Sequence, residues 1–319
     1  YNDVGYKELG LREAIKKALT HNAKYHGITL QEESISLRFK ELIHKLSEKN
    51  PVVLLIDEYD KPLIDFINDP ELLDKNREIL REFYSVIKSA DPYLQFVLLT
   101  GVSRFSKVSI FSDLNNLYDI TIDPNFSSIA GYTQQELEHS FADRIEALAQ
   151  KEGLDKRTLL EQIKTWYNGY SWLGEERLYN PFSILSFFQK GVFQNYWFAT
   201  GTPNFLIEVL RKGFQYDLEN IDVGSVQLDT LDIPHPDHRS LLFQTGYLTI
   251  KDQPLYNIYT LGYPNKEVKD ALLQHMIGAF SFQPTGNSAP MVAKLKSALE
   301  GGRVGEFVSI LNSLFAGIP

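Results

Sequence analysis

Two carboxylates directly follow an apolar run near the start of the chain. Residues 51–60 read Pro-Val-Val-Leu-Leu-Ile-Asp-Glu-Tyr-Asp, so Asp57 and Glu58 stand where the apolar run ends. A carboxylate at such a place can hold a hydrated Mg²⁺, and a neighbouring carboxylate can polarise an attacking water molecule. Asp57 is therefore the candidate Mg²⁺ ligand, and Glu58 is the candidate catalytic residue.

A second polar group follows another apolar run. Residues 93–100 end in Thr100, and Gly101, Val102, Ser103 and Arg104 come next. The hydroxyl of Thr100 or Ser103 could orient or sense a γ-phosphate, and Arg104 could stabilise its charge. The plain alternatives are a Thr-Gly turn and a solvated arginine, and both stay open at this point.

Two strands joined by helices would bring these groups together. Uninterrupted apolar residues predict one strand at 52–56 and another at 93–100, each buried on both faces. Helical spacing of apolar residues predicts helices at 8–20, 34–46, 62–67 and 71–89. The result is a βαβ unit, whose parallel strands end at the edge where open α/β sheets bind ligands. In this setting residues 51–60 have the form of a Walker B segment.

The middle of the chain reads as helical. Thr133 to Glu136 form a capping box that predicts a helix through Leu148. Asn180-Pro181 and Thr202-Pro203 predict two further helix starts, and Gly191 and Gly213 the corresponding ends. Aromatic residues are dense between 166 and 198, but Lys and Arg are scarce there. Core packing is therefore predicted over a platform that stacks nucleic-acid bases.

The last third alternates element types. A helix around 241–243, strands at 247–250 and 257–261, and a helix over 268–276 predict a winged-helix-like module. Residues 291–314 predict two helices hinged at Gly301-Gly302. The 228–238 stretch has acidic and histidine residues that invite a metal hypothesis, but its two prolines favour an ordinary loop. These residues are Asp229, Asp232, His235, Asp237 and His238.

Composition excludes several classes of protein. The chain has 319 residues, of which 43% are hydrophobic and 23% charged, and its formal net charge is −9. The negative charge argues against a general electrostatic grip on nucleic acid. The absence of cysteine excludes disulfides and thiolate metal sites and favours a cytoplasmic location. No apolar run predicts a membrane span. Because the chain starts at Tyr1 and stops within an apolar pattern, we expect a fragment of a longer protein.

Longer strings in the sequence resemble the AAA-ATPase-like family of bacterial proteins. They are residues 53–62 (VLLIDEYDKP), 99–117 (LTGVSRFSKVSIFSDLNNL), 167–170 (YNGY), 179–183 (YNPFS) and 196–203 (YWFATGTP). The resemblance covers most of the chain. It implies a P-loop NTPase of the additional-strand class that uses ATP and Mg²⁺. In that family a PD-(D/E)XK nuclease-like domain often follows.

One family feature is missing from these residues. The chain contains no Gly-Lys-Ser/Thr segment that could cradle phosphates. In the family that loop lies upstream of the region where this chain begins. Its strand pairs between the strand at 93–100 and a next strand, expected here at 117–122. Without it the sheet would have two unpaired edges, so we expect either that the natural protein contains this segment outside the 319 residues or that the sheet closes in another way.

The resulting prediction is an α/β chain with a P-loop NTPase-like parallel sheet flanked by helices. Residues 1–130 form the AAA-ATPase-like domain without its phosphate loop, 131–225 a helical lid, and 226–319 a winged-helix-like and helical module. The predicted function is ATP binding and Mg²⁺-dependent hydrolysis that regulates an effector such as a nuclease. The alternative is a non-catalytic interaction module. A homo-oligomer, with Arg104 acting within or between subunits, is left open, and membrane or nucleic-acid partners are not expected.

Overall fold

The chain divides into two compact units. The computed structural model describes residues 5–67, 69–102, 110–111, 114, 116–173, 176–197, 217–229, 237–280 and 285–315. It is mixed α/β and about 56% helical. Unit 1 comprises residues 1–119 and 226–245, and unit 2 comprises residues 120–225 and 246–319. The three functional domains expected from the sequence stay a prediction.

The described elements follow in chain order. The helices are α1 (Tyr6–Leu9), α2 (Leu11–Tyr25), α3 (Ile35–Ser47), α4 (Lys61–Ile64), α5 (Pro70–Tyr84), α6 (Val86–Ser89), α7 (Gln134–Ser140), α8 (Ala142–Glu152), α9 (Lys156–Tyr167), α10 (Pro181–Lys190), α11 (Ser225–Asp229), α12 (His238–Gln244), α13 (Lys266–Phe280), α14 (Thr285–Glu300) and α15 (Val304–Phe315). The strands are β1 (Val52–Ile56), β2 (Leu94–Leu99), β3 (Asn168–Tyr170), β4 (Leu178–Tyr179), β5 (Ile221–Gly224), β6 (Thr249–Leu255) and β7 (Ile258–Gly262).

Unit 1 contains the predicted βαβ arrangement. Strands β1 and β2 pair in parallel, with Val53 opposite Phe96 and Leu55 opposite Leu98. Helices α4, α5 and α6 and a 3₁₀ turn at Asp91–Tyr93 connect the two strands. The crossover returns the chain to the starting edge of the sheet, so the two strands run in the same direction. Their carboxyl ends therefore lie at the same edge. The parallel strand pair is thereby confirmed.

Amphipathic helices supply the core of unit 1. Ser34 caps α3 by accepting the N–H of Leu37, and Asp69 caps α5 in the same way through Leu72. Between these helices the Phe39 and Phe83 rings stack with centroids 4.4 Å apart. Their buried residues are Ile35, Phe39, Leu42 and Ile43 on α3 and Leu73, Asn76, Ile79, Leu80, Phe83 and Tyr84 on α5. The strand pair therefore lies in a unit whose helices have well-packed apolar faces.

The prediction that both strands are buried on both faces is wrong. In β1 the side chains of Val53 and Leu55 are 53% and 66% exposed, and alternate residues are half-buried. Their partners in β2, Phe96 and Leu98, are exposed as well. A run of apolar residues permits burial on both faces, but a second packed layer is needed to produce it. The described elements cover one face of the pair.

The predicted third strand at 117–122 is also wrong. Residues 117–120 have no regular structure, and residues 121–122 form a turn. Its apolar residues alternate imperfectly around Asp119, and a strand of this kind depends on a neighbour for its hydrogen bonds. The described strands of unit 1 are therefore β1 and β2.

Unit 2 opens with a helical core. Thr133 and Glu136 form the predicted capping box at the start of α7. The helix expected to continue through Leu148 is interrupted at Phe141, and α8 begins at Ala142. Asn180 caps α10, and Gly191 ends it with a φ of 68°, as predicted.

The core of these helices consists of Leu137, Ile145, Leu148, Ala149, Leu159, Ile163, Tyr167, Tyr179, Ile184, Phe187, Phe188 and Tyr196. Five aromatic residues of the 166–198 stretch belong to this core and Trp166 and Phe193 pack against it, which confirms core packing for these seven, whereas Phe182 is exposed. The start at Thr202-Pro203 and the end at Gly213 lie outside the described residues.

In the described residues after α10, unit 2 contains a small antiparallel sheet and the helices α13, α14 and α15. Its strand order is β5-β7-β6, so β5 joins the hairpin expected from the sequence. Helices α14 and α15 lie on either side of Gly301-Gly302, as predicted. The helix α12 that precedes the hairpin belongs to unit 1. A winged-helix module stays a prediction. Among the described residues no helix combines the length and apolar character needed to cross a membrane.

Candidate functional site

The two strand ends meet through a direct side-chain hydrogen bond. Asp57 immediately follows β1 and Thr100 immediately follows β2. The Thr100 hydroxyl donates to Oδ1 of Asp57 at 2.5 Å, although 43 positions separate them in the chain. Both side chains are exposed at the edge of the sheet. The sequence-based expectation that Thr100 lies beside Asp57 is confirmed in the structure.

Backbone hydrogen bonds extend the pairing beyond the strands. The Thr100 N–H donates to the Ile56 carbonyl at 2.9 Å, and the Tyr59 N–H donates to the Thr100 carbonyl at 3.0 Å. Tyr59 in turn accepts a hydrogen bond on its carbonyl from the buried Tyr84 hydroxyl of α5, at 3.3 Å. These contacts fix the backbone on both sides of the Asp57–Thr100 pair.

Glu58 has an uncommon backbone conformation. Its φ is 53°, in the left-handed region, which costs a non-glycine residue on the order of 1–2 kcal/mol. Its N–H donates to Oδ1 of Asp57 at 3.0 Å, and its carbonyl accepts the N–H of Lys61 at 3.1 Å. The chain thereby turns sharply from β1 into α4. Among the described residues nothing donates a hydrogen bond to the half-buried Glu58 carboxylate, so it is available to a ligand.

The residue set at this edge suits a magnesium ion only in part. Oδ1 of Asp57 accepts from Thr100 and Glu58, while Oδ2 has no donor among the described residues. Mg²⁺ is commonly held by one or two carboxylates together with waters and substrate phosphates. Within the described ranges no group of three or more His, Asp or Glu side chains could hold a metal by itself. Asp57 would therefore share the ion with groups of the substrate.

Two predicted site residues cannot be placed. Ser103 and Arg104 lie outside the described residues, so their predicted phosphate roles stay predictions. Asp232 and His235 of the 228–238 stretch also lie outside the described residues, so the metal hypothesis for them stays untested. Of its described members, Asp237 caps α12 by accepting the N–H groups of Arg239 and Ser240. A capping role explains Asp237 without a metal.

Sequence reasoning assigned no role to Asp60, three residues after Asp57. Its side chain is fully buried, and its Oδ1 accepts the N–H of Val102 at 3.2 Å. The available signal was a third acidic residue in the Asp57–Asp60 turn, directly before Lys61-Pro62. A buried carboxylate needs hydrogen-bond donors, and the second strand end supplies one.

Comparisons with known proteins show what parts of the chain are similar to. Residues 3–111 match the model of a family described as predicted AAA-ATPase. An uncharacterized protein in the vnfD 5′ region of Azotobacter chroococcum mcd 1 is 38% identical over 319 residues. That alignment covers 97% of this chain but only 59% of the relative's length. No solved structure matches the chain. Residues 3–111, which include both strand ends and the Asp57–Thr100 pair, are thus similar to the predicted AAA-ATPase family.

Proposed function

We propose that this chain is the nucleotide-binding regulatory part of a larger protein that binds ATP with Mg²⁺ and hydrolyses it. The observation that carries this proposal is the Thr100–Asp57 hydrogen bond of 2.5 Å at the carboxyl ends of two parallel strands. Ligands of open α/β sheets bind at this edge. The family match over residues 3–111 supports a nucleotide as the ligand.

Each residue has a distinct role in this proposal. Asp57 holds Mg²⁺ through its carboxylate, and the ion supplies charge neutralisation at the phosphates. Glu58, whose carboxylate is available, orients the attacking water and accepts its proton. Thr100 holds Asp57 in place before the nucleotide binds, and its single hydroxyl proton would turn from Asp57 to the γ-phosphate in the complex. Ser103 and Arg104 follow Thr100 directly in sequence and would contact the same phosphate.

In this proposal, residues outside these 319 supply the phosphate loop. None of them forms a Gly-Lys-Ser/Thr segment, and the chain spans 59% of the length of the curated relative. A strand from such a segment could also cover the exposed apolar side chains of β1 and β2. Regulation of an attached effector, such as a nuclease, is the further part of the proposal.

The test is a steady-state ATPase assay of the full-length protein with Mg²⁺. Glu58→Gln should lower kcat by about 100-fold or more while ATP still binds, because general-base catalysis contributes that much. Asp57→Asn should raise the Mg²⁺ concentration needed for activity. The matched control is Glu71→Gln, an exposed glutamate in the first turn of α5, which should retain wild-type activity. A Glu58→Gln protein as fast as the wild type would remove Glu58 from the mechanism.

The second candidate is a non-catalytic interaction module. The absence of a Gly-Lys-Ser/Thr segment from these residues favours it. Calorimetry of the 319-residue chain with ATP and Mg²⁺ separates the two functions when paired with the full-length protein. Binding by neither protein supports the interaction module. Micromolar binding by the full-length protein contradicts it.

A further inference from the structure

Asp60 is a carboxylate buried beneath the two strand ends. It has no exposed surface, and its backbone carbonyl starts α4 by accepting the N–H groups of Leu63 and Ile64 at 2.8 and 3.1 Å. Buried aspartates are uncommon, because the charged form loses its hydration. The side chain makes no capping hydrogen bond to α4, so helix initiation by the backbone carbonyl does not by itself account for a carboxylate at this position.

The Asp60 side chain contacts the segment that follows β2. Its Oδ1 accepts the N–H of Val102 at 3.2 Å. A Cβ atom at Gly101 would lie 2.8 Å from that oxygen and 2.5 Å from Cε1 of Tyr59. Glycine at position 101 therefore permits the close approach of the two segments. The chain after β2 is held against Tyr59 and Asp60.

This contact lies one residue from the proposed nucleotide site. Thr100, whose hydroxyl donates to Asp57, is followed directly by Gly101 and Val102. The Tyr59 N–H donates to the Thr100 carbonyl, and the Asp60 carboxylate accepts the Val102 N–H. Three hydrogen bonds thereby join residues 57–60 to residues 100–102.

We propose that Asp60 is a positioning residue that holds Thr100 in register with Asp57 by fixing the backbone of residues 101–102. Its effect on hydrolysis rests on the proposed ATPase function, whereas its effect on the backbone does not. A displacement of about 1 Å at a catalytic group can lower turnover by about 100-fold. Asp60 therefore controls kcat without contacting the substrate.

Amide hydrogen exchange of the full-length protein without nucleotide tests the backbone effect. In Asp60→Ala the Val102 amide loses its acceptor, and its exchange should be at least about 10-fold faster. Asp60→Asn retains a side-chain oxygen acceptor and should restore most of the protection. The matched control is Asn76→Ala, which removes a buried contact to the Pro62 carbonyl but none to the strand ends. Unchanged Val102 exchange in a folded Asp60→Ala protein would overturn the proposal.

ATPase kinetics test the functional effect separately. Asp60→Ala should lower kcat by about 10- to 100-fold with KM for ATP changed less than about threefold, and Asp60→Asn should recover most of kcat. If Asp60→Ala does not fold, Gly101→Ala tests the same contact from the opposite side and should give the same loss of kcat. Equal kcat in folded Asp60 and Gly101 variants and the wild type refutes positioning. A wild-type protein without ATPase activity instead refutes the proposed function, and the exchange result still decides the backbone effect.

Discussion

Glu267 at the start of α13 is a second fully buried carboxylate, in unit 2. It accepts hydrogen bonds from the Ser183 hydroxyl at 2.7 Å and from the N–H groups of Tyr196 and Trp197, the latter at 2.8 Å. Burial raises the pKa of Glu267 above its ordinary value of 4.5, although these donors act in the opposite direction. The Glu267 side chain thus holds residues 196–197 in place. Because burial disfavours its charged form, the stability it contributes depends on whether it is ionised.

Replacing Glu267 should change how stability depends on pH. Because the folded-state pKa is raised, its contribution to stability is complete below about pH 4.5 and decreases as pH rises through the folded-state pKa. Glu267→Gln cannot ionise, so its free energy of unfolding should rise relative to that of the wild type as pH increases from 4.5. Urea unfolding at several pH values between 4.5 and 8 measures this difference, with the range set by the ordinary pKa.

The size of the Glu267 contribution can be measured with a different variant. Glu267→Ala would remove the acceptor of the Tyr196 and Trp197 N–H groups and of the buried Ser183 hydroxyl, which should cost roughly 3 kcal/mol or more. Glu161→Gln, an exposed residue on α9, provides the control and should leave both the stability and its pH dependence unchanged. A constant difference between wild type and Glu267→Gln across this pH range would contradict the raised pKa.

At the scale of elements, β3 and the segment before α13 pack backbone against backbone. Gly169 in β3 has a φ of 127°, and a Cβ atom there would lie 2.0 Å from the Pro264 carbonyl oxygen. Gly169→Ala should therefore destabilise unit 2 by about 3 kcal/mol or more, because the backbone conformation and the contact both exclude a side chain. Thermal and urea unfolding measure the loss.

Gly153→Ala provides the matched control for Gly169. Gly153 ends α8 with a φ of 66°, and nothing lies within 4 Å of a Cβ atom at that position. The control should cost only about 1 kcal/mol, the price of a left-handed conformation alone. Equal losses in the two variants would show that the Pro264 contact contributes nothing.

For the whole molecule, paired carboxylates set the response to acid. The Lys45 ammonium, assisted by the N–H groups of Gln31 and Glu32, lowers the pKa of Glu41 to about 2. Burial acts to raise the pKa of Asp65, but hydrogen bonds from Lys7 and Tyr6 outweigh it and lower that pKa. Both groups contribute stability above their ordinary pKa values that is lost as they become protonated.

The chain should accordingly lose stability as pH falls from about 4.5 toward 2, the interval between the ordinary and folded-state pKa of Glu41. Glu41→Gln should be less stable than the wild type by about 1 kcal/mol at neutral pH, since the group is only partly shielded from water. That difference should disappear near pH 2. Glu78→Gln, an exposed residue of α5, should match the wild type throughout. A Glu41→Gln difference that persists undiminished near pH 2 would contradict the lowered pKa.

Local patterns predicted much of the fold because their causes are local. Capping side chains such as Thr133 and Asn180 bond N–H groups two or three residues away, so sequence spacing is sufficient to identify them. The helices of unit 1 follow from apolar spacing in the same way. The meeting of Asp57 and Thr100 was also predictable, because parallel pairing of two neighbouring strands leaves one edge for both carboxyl ends.

The sequence by itself thus determined the βαβ order, the helix starts and the chemistry offered at the strand ends. Only the tertiary structure decided which side chains are covered: Leu55 is exposed although its neighbours are equally apolar, and Asp60 and Glu267 are buried although charged. It also brought Pro264 against Gly169, a contact between distant segments. The physical reason is that burial depends on which elements pack together, whereas residue type sets only its cost. The hydrogen bond from the Val102 N–H to the Asp60 carboxylate forms because packing places this donor beside a buried acceptor.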